Sequence, residues 1–72
     1  MKIKVQSENS VFVYWQDGDS HQAWNEACGV AVDKFGMPNS ERFITKLREE
    51  HLEFHFREKG DTLLFLFCLS NF

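Results

Sequence analysis

NSERFITKLREEHLEFHFREKGD, residues 39–61, is the stretch on which the fold of this chain turns. Its Glu, Arg, Lys and Leu content favours a helix from Ser40 on propensity alone. A hairpin explains more of the pattern. If the chain reverses at Glu49–Glu50, Leu47 faces Leu52, Thr45 faces Phe54 and Phe43 faces Phe56, all on one side. The other side then pairs Lys46 with Glu53, Ile44 with His55 and Arg42 with Arg57. A slip of one residue scrambles this segregation, so the pattern itself specifies the register. Glu-Glu is poor chemistry for a two-residue turn, which favours a longer loop through Arg48–His51.

The flanking segments supply the other elements. KIKVQ (2–6) alternates, with Ile3 and Val5 on one face and Lys2 and Lys4 on the other, and reads as a strand. SVFVYWQ (10–16) is β-branched and aromatic throughout, a second strand apolar on both faces. SENS (7–10) suits a hairpin loop between them, with a single bent strand as the alternative. DGDS (17–20) then opens a helix: Asp19 with Gln22 makes a capping-box pattern, and Ser20 is the other possible cap. Trp24, Ala27, Cys28, Ala31, Val32 and Phe35 form its apolar stripe, while Gln22, Asn25, Glu26, Gly29 and Asp33 fall opposite. Gly36 provides the stop and Pro38 forbids continuation, giving a helix over about 20–35. Gly60 and Asp61, a breaker and an N-cap, open the last segment, DTLLFLFCLSNF (61–72). Its seven apolar residues from Leu63 to Leu69 fit a strand or a helix by periodicity.

A chain of 72 residues makes one domain, 1–72. A domain this small buries only about 60% of its unfolded surface, so every apolar contact counts. The 43% hydrophobic share, with eight Phe and two Trp, argues for a packed core. Cys28 and Cys68 both sit in apolar stretches and read as reduced thiols, as in a cytoplasmic protein, with a single Cys28–Cys68 bridge as the minority reading. A net charge of −3 is too balanced for an indiscriminate nucleic-acid binder and not acidic enough for a DNA mimic. MKIKVQSENS does not resemble a signal peptide, and the C-terminal apolar run is far shorter than the ~20 residues that cross a bilayer. No membrane partner is expected.

The combination WNEACGVAVDKFGMPNSERF (24–43) and LEFHFREKGDTLLFLFCLS (52–70) resembles a group of short proteins carried by tailed phages, many of marine bacteria. Their pattern runs W-N-E-x-C, then F-G-L-P, a phenylalanine strand, and a K-D-A-x-x-F segment. The matching positions are Trp24, Asn25, Glu26, Cys28, Phe35, Gly36, Pro38, Phe43, Phe54, Phe56, Asp61, Phe65 and Phe67. Met37 departs from the group's leucine, and GDTLLFLFC from its charged segment. The resemblance implies a strand at 42–48, a helix at 61–69, and a phage-encoded protein acting in the cytoplasm of a host bacterium. It carries no functional residues across.

If 61–69 is a helix, Leu63, Leu64 and Phe67 share one face and are expected to cover the sheet. Phe65, Leu66, Leu69 and the terminal Phe72 are then the expected protein interface, because exposed apolar side chains on so small a domain mark a docking surface, with cover by Val11–Trp15 and Phe72 within one chain as the alternative. A homodimer, or docking to a host or phage protein, follows from that expectation.

Catalytic chemistry finds little support. Cys28 with His21 or His55 makes a nucleophile pair only on paper, since the thiol lies in the helix's apolar stripe. Glu49 and Glu50 are adjacent rather than facing, and DGD and KGD are turn and cap signals rather than phosphate loops. His51, Glu53 and His55 share a strand face with zinc-ligand chemistry. Positions four apart on a strand are roughly 13 Å apart, too far for one ion without bending. No cofactor or metal is expected. The outer hairpin face, with Arg42, Lys46, His55 and Arg57, is the candidate anion or partner surface, helped by Ile44, Tyr14 or Trp15. Arg42 opposite Arg57 is a like-charge pair that calls for an acidic group beside it.

These readings add up to an α+β domain, a small antiparallel sheet with two helices on one face. The order is β-β-α-β-β-α, or β-α-β-β-α if the first strands are one, an incomplete ferredoxin-like arrangement. The expected function is a non-enzymatic interaction protein, with a small nucleic-acid-binding regulator as the competing class.

Overall fold

The computed structural model describes residues 2–14 and 20–70, the side chains of 20–24 excepted. Six elements follow in order: β1 (Lys2–Ser7), β2 (Ser10–Tyr14), α1 (Ser20–Phe35), β3 (Phe43–Leu47), β4 (His51–Phe56) and α2 (Lys59–Ser70). The strands form one antiparallel sheet in the order β1-β2-β4-β3, so the domain is α+β as the sequence indicates.

The hairpin of β3 and β4 has the expected register: Phe43 faces Phe56, Thr45 faces Phe54, Leu47 faces Leu52, and Lys46 faces Glu53. The chain reverses at Glu49–Glu50, where the Arg48 N–H donates to the His51 carbonyl at 2.9 Å. The N-terminal segment is two strands, not one bent strand, paired from Lys2↔Tyr14 to Ser7↔Ser10 with an irregularity between Val5 and Ser7.

The order β-β-α-β-β-α is the expected one, and it stands in a definite relation to the ferredoxin-like arrangement. That fold runs β-α-β-β-α-β. Here β2-α1-β3-β4-α2 supplies the first five elements, and the edge strand beside β2 comes from the N-terminal side, as β1. The sheet is complete, with its edge strand moved from the end of the chain to the start.

One face of the sheet carries Val11, Val13, Leu52, Phe54, Phe56 and Phe43, all buried, and both helices cover it. α1 contributes Ala27, Ala31 and Phe35; Cys28 is half-buried beside them and Val32 is exposed. The Trp24 side chain lies outside the described ones. The helix stops at Gly36, whose φ of 87° is costly for a residue with a Cβ, and whose N–H bonds the Val32 carbonyl at 3.0 Å. Five phenylalanines fill the centre: Phe65 lies 4.6 Å from Phe54 and 5.2 Å from Phe56 between ring centroids, and Phe35 lies 5.2 Å from Phe56. Tilted and edge contacts of this kind add to area burial.

α2 begins at Lys59, two residues before the expected cap at Asp61. Its orientation reverses the sequence expectation. Phe65 and Leu69 are core residues and Leu66 is half-buried, while Leu63, Leu64 and Phe67 point out, 66%, 42% and 66% exposed. Phe72 lies outside the described residues. A helix apolar all round gives no hydropathic sign of its inner stripe. Packing chooses it: the place among Phe35, Phe54 and Phe56 takes a large ring, and Phe65 fills it, with Thr62 and Leu69 on the same stripe.

Candidate functional site

Because side chains alternate along a strand, the residues between the buried ones stand on the other face of the sheet, which neither helix covers. The strand registers set them in three cross-strand rows. Lys4, Phe12, Glu53 and Lys46 form the middle row, a lysine on each edge strand. Lys2, Tyr14 and His51 form a second, which Arg48 extends through its backbone bond to His51. Ser10, His55 and Ile44 form the third.

The rings make a continuous zigzag. His51 lies 4.7 Å from Tyr14 and 4.7 Å from Phe12, nearly parallel to the latter at 20°, and His55 meets Phe12 edge-on at 6.2 Å. All four are half-buried, leaving π surface within reach of solvent.

Glu53 anchors the two imidazoles. Its Oε1 accepts from His55 Nε2 at 2.8 Å, and its Oε2 accepts from His51 Nε2 and Arg48 Nε, each at 3.0 Å. The hydrogen bond from His55, joined by those from Arg48 and His51, holds the carboxyl at about 2, against the upward push of burial. An ionised acceptor requires both ring nitrogens to donate. In the neutral ring, His55 Nδ1 is then left to accept the Ser10 hydroxyl at 2.9 Å.

Ser10, His55 and Glu53 thus form a hydroxyl–imidazole–carboxylate chain, the components of a nucleophilic triad. Ser10, however, sits within a strand paired on both sides, so its neighbouring N–H groups belong to the ladder rather than to an oxyanion hole. The chain therefore positions His55 rather than activating Ser10. The same contacts answer the zinc question. Each imidazole directs Nε2 at its own oxygen of Glu53, and no group of three ligands suited to a metal ion occurs among the described residues.

The candidate anion surface read from the hairpin is only half assembled. Lys46 and His55 stand on the open face. Arg42 does not: it bonds Asp61 through Nε at 3.3 Å and Nη2 at 3.2 Å, with its guanidinium 5.1 Å from the centre of the Phe35 ring. The acidic group that an Arg42–Arg57 pair demands is thus Asp61 of the same chain. Arg57 lies past the end of β4, where it lines one shallow recess with Glu41, Arg42, Glu58 and Asp61 and another with Arg42, Ile44 and His55. What hairpin reasoning missed is the contribution of the first two strands, Lys2, Lys4 and Phe12. The alternation of KIKVQ already placed both lysines on one face; strand order alone set that face across β2 from β4.

Cys28 and Cys68 are free thiols, half-buried, and burial raises the Cys28 thiol above its ordinary value. Trp15, Asp19 and the His21 side chain lie outside what is described. Among the described residues no helix is long and apolar enough to cross a membrane. No family model matches the chain, and no curated protein or solved structure is similar to it at a significant level.

Proposed function

We propose that the chain is a non-catalytic binding protein that docks protein, first of all a second copy of itself, through the outer ridge of α2. One observation carries this reading: Leu63 and Leu64 stand 66% and 42% exposed on a helix whose Phe65 and Leu69 are buried in the core. Burying a leucine contributes roughly 1.5–3 kcal/mol, a large amount for a fold of this size to leave unused. Phe67, one turn on and 66% exposed, extends the ridge. No charged residue occurs from Thr62 to Ser70, so a charge-selected partner has nothing to read there. An uncharged ridge is complementary to its own copy across a twofold axis.

The resemblance to short phage proteins fits this reading, with a host or phage protein as the further partner in a bacterial cytoplasm. Sedimentation velocity tests it across a concentration series. Wild type is expected to shift from monomer to dimer in the micromolar range, and Leu63→Glu to stay monomeric with an unchanged circular dichroism spectrum. A wild type monomeric throughout overturns the self-association. A dimer indifferent to Leu63→Glu and Leu64→Glu overturns the ridge.

A further inference from the structure

The open sheet face lies on the opposite side of the domain from that ridge, and its charge is sorted. Lys2, Lys4, Lys46 and Arg48 stand on it or at its end against one carboxylate, Glu53, in a chain whose net charge is −3. Glu8, Glu49 and Glu50 are confined to the turns at its rim. Glu53 is also occupied, taking three hydrogen bonds from Arg48, His51 and His55. Lys2, Lys4 and Lys46 make no ion pair among the described residues. A polyanion arriving at this face meets three uncommitted ammonium groups around a row of rings.

We propose that this face binds single-stranded nucleic acid. The lysines of the middle row are on β1 and β3, three strand spacings apart, or roughly 14 Å, enough for about two or three nucleotides. Between them the rings of Tyr14, His51, Phe12 and His55 offer stacking and apolar contact, which unpaired bases use and stacked duplex bases do not. Aromatic side chains on the two central strands of a four-stranded sheet with its helices behind are also how RNA recognition modules hold bases, an analogy of geometry alone. The hydrogen bonds that both imidazoles donate to Glu53, and the one that His55 accepts from Ser10, fix two of the four rings in advance, so little order is lost on binding. Ile44, exposed at the end of the third row, adds an apolar contact. A dimer through α2 would turn two such faces outward, and one long strand could then engage both.

The test is fluorescence anisotropy of the full chain with a labelled 12-nucleotide oligo(U), oligo(dT) and a duplex of equal length, repeated from low to physiological salt. Binding of either single strand is expected to exceed that of the duplex by at least tenfold. Its logarithmic salt slope should drop by about 0.7 for each of Lys4→Gln and Lys46→Gln. Phe12→Ala should weaken binding by roughly tenfold or more. Should Phe12→Ala fail to fold, the lysine variants at solvent-exposed positions carry the same decision. Equal affinity for duplex, a slope unmoved by both lysine variants, or tighter binding of a labelled poly-glutamate peptide than of either oligonucleotide overturns the proposal. So does an absence of binding at low salt.

Discussion

Asn9 and Phe56 hold each other by reciprocal hydrogen bonds: the Phe56 N–H donates to the Asn9 carbonyl at 2.7 Å, and the Asn9 side-chain amide donates to the Phe56 carbonyl at 3.1 Å. The amide reaches the Arg57 carbonyl as well, at 3.2 Å. A turn residue of the first hairpin is thereby tied to the end of β4, where the strand ladder stops, and the first hairpin carries half of the open face.

Asn9→Ala removes both side-chain bonds and leaves the Phe56 and Arg57 carbonyls short of a partner. A loss of about 1–2 kcal/mol is expected, and with it roughly 4–15 °C of melting temperature by circular dichroism. A variant melting with the wild type would show that the backbone bond alone holds the turn.

Glu53 sets the acid limb of stability. Its folded carboxyl titrates at about 2 against an ordinary 4.5, so the native state favours the ionised form. That contribution is complete above about 4.5 and is lost as pH falls from there toward 2. Urea midpoints measured from pH 7 to pH 2.5 should fall steeply below pH 4.5 in wild type. Glu53→Gln should be less stable at pH 7 and should lose that part of the acid dependence.

Thr62 contributes a hydroxyl that the fold does not use. Its Oγ1 is buried with no hydrogen-bond partner, while the residue is 2% exposed. Thr62→Val keeps the shape and removes the unpaired polar atom, and should stabilise the domain by about 1 kcal/mol, raising the melting temperature by several degrees. A lower melting temperature would place a water on that hydroxyl.

Arg42 separates the two versions of the basic surface. Its guanidinium is held by Asp61 at the start of α2, away from the open face. Arg42→Ala should change oligonucleotide affinity by less than twofold, because its guanidinium is engaged by Asp61. A loss comparable to that of Lys46→Gln would move the binding face to the end of the sheet.

Hydropathic alternation carried the hairpin. Swapping faces by one residue at Phe43, Phe54 and Phe56 would expose three phenylalanines, so local pattern and global burial had a single common solution. The stop at Gly36 was legible for a similar reason, since few other residues accept its backbone angle. α2 was legible as a helix but not in its rotation. Leu, Phe and Cys occupy every position from Leu63 to Leu69, and transfer free energy scarcely distinguishes one stripe of such a helix from another. Only the space left by Phe35, Phe54 and Phe56 decides that Phe65 goes in and Leu63 stays out.

The candidate site divides the same way. The residue types were in plain sight: lysines alternating in KIKVQ, aromatics in SVFVY, histidines and a glutamate in HLEFH. By itself the sequence determined which side chains share a face of each strand, because period-two alternation is a local property of the backbone. Tertiary structure alone decided which strands are neighbours. It set β2 against β4, brought Lys4 into line with Lys46 across Phe12 and Glu53, and handed Arg42 to Asp61. Those are contacts between distant parts of the chain, fixed by the packing of all elements at once, and no local pattern encodes them.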